Sequence, residues 1–97
     1  MKAFRLYCEM TDKISQHRIK IDELDEKILE LIQERVDEAI SIRHLKIENG
    51  IPLNTPERES ELIQSLINKS AGRLPATVIQ DIWSTIIAGG KRTGEKR

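Results

Sequence analysis

From Thr11 to Asn49 the chain runs without a single glycine or proline. Within that stretch Ile21, Leu24, Ile28, Leu31, Ile42 and Leu45 fall on steps of three, four or their sums. That spacing gathers them on one helical stripe about 100° wide. No segment alternates polar and apolar residues over more than a few positions, so strands are not expected. Asn49-Gly50 supplies a left-handed stop and Pro52 hinders resumption. The pattern therefore predicts one helix of about 38 residues, about 57 Å long at about 1.5 Å per residue.

Two shorter helices should follow. Thr55 and Pro56 read as an N-cap with proline at the first helical position, and Glu57 and Glu59 suit the positive end of the dipole. This second helix should end near Ser70, before Ala71-Gly72-Arg73. Pro75 opens a third, with Val78, Ile79, Ile82, Trp83, Ile86 and Ile87 on its apolar side and Gly89-Gly90 ending or fraying it. The expected division is an N-terminal extension over 1–10, an all-α three-helix domain over 11–90 and a basic tail over 91–97, read as a solvated terminus. There is no internal repeat.

The long helix raises a question of coverage. Two short helices cannot cover its whole stripe, and leaving it in water costs about 25 cal/mol per Å² of apolar surface. A second copy of the chain, antiparallel in a symmetric dimer, is the simplest remedy. Composition narrows the rest. Sixteen Lys+Arg balance sixteen Asp+Glu over 97 residues, and aromatics are 3%. A neutral chain with three rings is not built to bind nucleic acid by charge or stacking. No apolar run approaches the roughly 18 residues of a membrane span. Cys8 stands alone, which excludes an internal disulfide and makes a reducing cytoplasm the expected compartment. His17 and His44 are too far apart on one helix to chelate together and neither has an i+4 partner of the right type, so no metal is expected; no cofactor is expected either.

Cations interrupt the stripe or stand at its border. Steps of seven from Ile21 give Ile28, Arg35 and Ile42; Arg18 and Lys46 belong to an adjoining row with Asp25, Ile32 and Ala39. The ordinary reading is that such side chains reach water or pair with Asp25, Glu38 or Glu59. A second reading follows from distance. Arg35 and Lys46 are three turns apart, about 16 Å along the axis, so two side chains of about 6–7 Å can converge on a small anion between them. Arg18 lies about 25 Å before Arg35, too far within one chain, whereas an antiparallel partner would bring its own Arg18. Arg58-Glu59 adds a cation and an acceptor.

These residues carry a resemblance. Leu24-Asp25-Glu26-Lys27-Ile28-Leu29-Glu30-Leu31-Ile32-Gln33-Glu34-Arg35 resembles the first-helix signature of the all-helical chorismate mutases. Arg18, Lys46 and Thr55-Pro56-Glu57-Arg58-Glu59 stand at the family's spacing, and the similarity extends from about Ser15 to Ala88. It implies three helices per chain intertwined as a homodimer with two sites shared between chains. It also implies conversion of chorismate to prephenate, the branch step toward phenylalanine and tyrosine. By position, Arg18 of the partner chain and Arg35 would bind the two carboxylates, and Lys46 would reach a carboxylate and the ether oxygen. Arg58 would support the field of the site, and Glu59 would accept a hydrogen bond from the ring hydroxyl. Thr55 replaces the aspartate of many relatives, where a backbone contact would survive.

The third helix departs from the family. One register puts Gly90 and Gly94 where a hydroxyl residue and a Gln or Glu usually meet the substrate; a shift by one residue puts Lys91 and Glu95 there. A Glu95 contact would need the protonated acid and favour activity at low pH. The rivals are an enzyme acting on a chorismate analogue (an isochorismate-pyruvate lyase or a 4-amino-4-deoxychorismate mutase), a weakly active binding or regulatory dimer of the same fold, and a coiled-coil adaptor.

Overall fold

The computed structural model describes residues 2–97; Met1 and the side chains of Lys2 and Phe4 lie outside the described residues. The architecture is all-α: α1 spans Lys2–Glu48, α2 Pro56–Ser70 and α3 Ala76–Lys96. The chain divides into two units, residues 1–33 and residues 34–97.

In the first unit the described residues belong to the N-terminal part of α1. Helix begins at Lys2 rather than near Thr11, so residues 2–10 of the expected extension are helical, Cys8 included. No glycine, proline or capping sequence separates residues 2–10 from the rest, so nothing local stops the helix there. The Thr11 hydroxyl, expected near the helix start, instead donates back to the Tyr7 carbonyl at 2.8 Å. Ile21, Leu24, Ile28 and Leu31 are all more than half exposed.

The second unit holds the end of α1 together with α2 and α3. Helix α1 stops as its sequence demands. Gly50 takes φ 64°, its N–H donates to the Ile47 carbonyl, and the Ile51 N–H donates to the Lys46 carbonyl at 2.8 Å. These are the two reversed bonds of a Schellman ending. Thr55 stands at the N-cap of α2 with Pro56 behind it, as expected, but its side chain makes no capping bond. Its carbonyl instead accepts the Glu59 N–H at 3.2 Å. At the other end of α2, Ala71 adopts the left-handed conformation (φ 50°) and Gly72 follows at φ 81°. The Pro75 carbonyl then accepts the Val78 and Ile79 N–H groups as α3 begins.

Helix α3 runs through Gly89 and Gly90 and on to Lys96, so neither glycine ends it, and residues 91–96 are helix rather than a loose tail. The reason lies in packing: Gly90 and Gly94 are both buried. A Cβ on Gly90 would stand 3.9 Å from Val36 Cγ2, and one on Gly94 would stand 3.6 Å from Ile40 Cγ1. The glycines let α3 approach the end of α1 closely, and that contact outweighs their poor helix propensity. Ile40 and Ile79 form the buried apolar core of the described residues.

Candidate functional site

All three helices of the second unit contribute to one cleft of about 240 Å³. Helix α1 supplies Arg35, Ala39, Ile42, Arg43 and Lys46, which lie at i, i+4, i+7, i+8 and i+11 and so share one face. The last of these, Lys46, lies in the final turn of α1, where its carbonyl accepts the Ile51 N–H of the Schellman ending. The α1–α2 connection brings Leu53 and Thr55, and the first turns of α2 bring Arg58, Glu59 and Leu62. Helix α3 closes the cleft with Ile87, Gly90, Lys91 and Gly94.

Five of the sequence-predicted site residues therefore meet: Arg35, Lys46, Thr55, Arg58 and Glu59. Arg35, Lys46, Thr55 and Glu59 are half-buried and Arg58 is exposed. Arg18 belongs to the first unit, is exposed and is not among the residues lining this cleft. On α3 the cleft takes Gly90, Lys91 and Gly94, while Glu95 is exposed and outside the lining. The low-pH behaviour expected of a Glu95 contact consequently has no geometric support.

The cleft is strongly cationic. Arg35, Arg43, Lys46, Arg58 and Lys91 face a single carboxylate, Glu59. Lys91 Nζ lies 2.7 Å from Glu59 Oε1, spanning α3 to α2 at the cleft wall. Among the described residues the four other cations of the lining have no carboxylate within salt-bridge distance. Drawing several cations together without counter-charges is unfavourable unless an anion completes the set. The apolar remainder of the lining lowers the local dielectric, which strengthens any charge pairing made inside. What the arrangement can do is hold a small, multiply negative molecule and fix its conformation.

Two cations escaped the sequence reading of the cleft. Arg43 was not singled out, although it sits eight residues after Arg35 and three before Lys46, both helical same-face spacings. A search by sevens steps over it. Lys91 entered only as one choice of register on α3, because sequence does not show which face of a helix interrupted by glycines turns inward.

Comparison with known proteins identifies the family. The family model described as chorismate mutase type II matches residues 17–94, most of the chain. A protein of Methanocaldococcus jannaschii named chorismate mutase is 50% identical over 50 residues, 52% of this chain and 50% of that protein. A bifunctional chorismate mutase/prephenate dehydratase of Aquifex aeolicus is 32% identical over 81 residues, 79% of this chain and 22% of that protein. The matched stretches thus take in half of the first relative and less than a quarter of the second. No solved structure matches.

Proposed function

The chain belongs to the type II chorismate mutase family, and on that premise we propose that it converts chorismate to prephenate. The observation that carries this reading is the cleft in which five cations face one carboxylate. Chorismate is a small dianion with two carboxylates and an enol-ether oxygen between them. Its rearrangement is intramolecular: one C–C bond forms as the ether C–O bond breaks, with no nucleophile, proton transfer or redox step. An enzyme accelerates it by holding the folded conformer and by stabilising negative charge that grows on the ether oxygen. Binding has to favour that transition state over the extended substrate, so where each cation stands matters more than the total attraction.

Within this reading Arg35 binds one carboxylate, and Lys46 spans a carboxylate and the ether oxygen. Arg58 contributes to the field, Thr55 offers its backbone, and Glu59 accepts the ring hydroxyl. The Lys91–Glu59 ion pair holds the Glu59 carboxylate at the cleft wall for that bond. The second substrate carboxylate is met by Arg18 of the partner chain. This requires a homodimer, which the exposed stripe Ile21, Leu24, Ile28 and Leu31 supports as the face that a second copy covers. Among the described residues no helix is long and apolar enough to cross a membrane; we place the enzyme in the cytoplasm.

The test is direct. Purified protein is assayed with chorismate, isochorismate and 4-amino-4-deoxychorismate, following loss of substrate and identity of product. Prephenate formation well above the uncatalysed rate supports the proposal. Turnover of an analogue alone assigns the cleft to a sister reaction, and turnover of none removes the enzymatic reading.

A further inference from the structure

The side chain of Arg43 has an unusual neighbour. A Cβ built on Gly94 would stand 3.2 Å from Arg43 Cδ and 3.9 Å from its Nε. The stem of Arg43 therefore lies across bare α3 backbone, in space that any other residue at 94 would contest. Arg43 is half-buried, lines the cleft and has no carboxylate within salt-bridge distance among the described residues. A half-buried arginine with no carboxylate beside it, its stem laid along the wall of a cationic cleft, is poised for an anion that arrives from outside.

We propose that Arg43 is a further substrate-binding residue, donating to a carboxylate or to the ether oxygen of the bound dianion, and that Gly94 is the position that lets it do so. The α3 wall has no side chain of its own at residues 90 and 94, and α1 reaches across to supply the missing polar contact. The charge matters as well as the reach. Guanidinium offers several donors in a fixed plane that matches a carboxylate. The inference rests on the reading of the cleft as a chorismate site.

Full-length protein and the variants Arg43→Gln, Arg43→Lys, Gly94→Ala and Arg43→Gln/Gly94→Ala are compared. Three quantities are read: kcat and KM for chorismate, the Kd of a bicyclic dicarboxylate transition-state mimic by calorimetry, and Tm. Arg43→Gln keeps most of the stem and removes the charge; we expect kcat/KM and mimic affinity to fall about 10- to 100-fold with Tm little changed. Arg43→Lys should recover part of the loss. Gly94→Ala should cost several-fold in the wild-type background by displacing Cδ, and nothing further once Arg43 is Gln, the signature of two residues acting as one. Kinetics and mimic affinity of Arg43→Gln within twofold of wild type overturn the proposal, and an equal Gly94→Ala loss in both backgrounds overturns the part given to Gly94. A wild-type protein that binds the mimic without turning over chorismate defeats the enzymatic reading alone, since the effect of Arg43→Gln on mimic affinity still decides this inference. Failure to bind the mimic at all defeats both.

Discussion

Residues 1–33 and residues 34–97 use the same kind of secondary structure to opposite ends. In the first unit every residue whose burial is described is exposed except Ile32, which is half-buried. Its described backbone bonds are those of one helix, and its large apolar side chains touch water: Leu24 is 55% exposed and Leu31 62%. In the second unit three helical segments meet, two isoleucines are buried, and five cations converge on a cleft. A helix without tertiary packing is marginal in water. The second unit packs against itself and builds a cleft, whereas the first leaves its apolar face and Arg18 exposed; under the proposed function that face and that arginine are what a second copy would meet.

The sharpest way to break that comparison is to remove one cation from each unit. Arg35→Ala should lower kcat/KM by about 10²–10³-fold or more, with helicity by circular dichroism and oligomeric state unchanged. Arg18→Ala should cost a similar order, although Arg18 lines no part of the cleft described for the second unit. Unfolding and refolding the two inactive variants together in equal amounts should restore about a quarter of wild-type activity. Half of the dimers are then mixed, and each mixed dimer has one site with both arginines intact. No recovery would place Arg18 outside the shared site.

Next in size is the apolar face of the first unit. Taken at its exposure in the single chain, a substitution such as Leu24→Glu should move stability by no more than about 0.5 kcal/mol. If a second copy covers the stripe, the double change Leu24→Glu/Leu31→Glu removes several kcal/mol of burial and adds charge to a dry interface. We expect the latter: a monomer by sedimentation, with a lower Tm and lost activity. A double variant that stays dimeric at micromolar concentration would move the interface elsewhere. As a counterpart within the second unit, Ile79→Ala removes a side chain that is 2% exposed. It should cost about 2–4 kcal/mol in chemical denaturation, while a dimer held by the α1 stripe persists.

These differences mirror what was legible in the residues. Helix ends governed by short-range chemistry were readable: Gly50 stops α1, Pro56 starts α2 and Ser70 ends it. Among the cleft residues, Arg35 and Lys46 were readable because three turns of one helix put them on one face, whereas Arg58 and Glu59, on α2, were placed by the start of that helix and by the family resemblance. Helix α3 was misjudged for the opposite reason. Gly89 and Gly90 are local breakers, but burial of Gly90 and Gly94 near Val36 and Ile40 is a long-range gain that no local rule contains. Arg43 was missed for a different reason: it stands at same-face spacing from Arg35 and Lys46, which steps of seven pass over. At the N-terminus the error was to begin the helix near Thr11 and set residues 1–10 apart as an extension, when nothing in residues 2–10 stops it.

The smallest expected effect concerns the end of α3. Arg97 Nη1 donates to Asp37 Oδ1 at 3.0 Å, tying the last residue back to α1, but both side chains are more than half exposed. Exposed pairs contribute about 0–1 kcal/mol and weaken further as salt rises. Asp37→Asn should therefore shift stability by less than about 1 kcal/mol, with the difference fading at high ionic strength, and leave kcat/KM within about twofold. The close approach at Gly90 and Gly94, rather than this ion pair, should hold the end of α3 in place. Gly90→Leu supplies the contrasting measurement: forcing a branched side chain toward Val36 should increase amide exchange across residues 89–96, which Asp37→Asn should leave protected. Loss of protection in Asp37→Asn alone would transfer the role from the glycines to the ion pair.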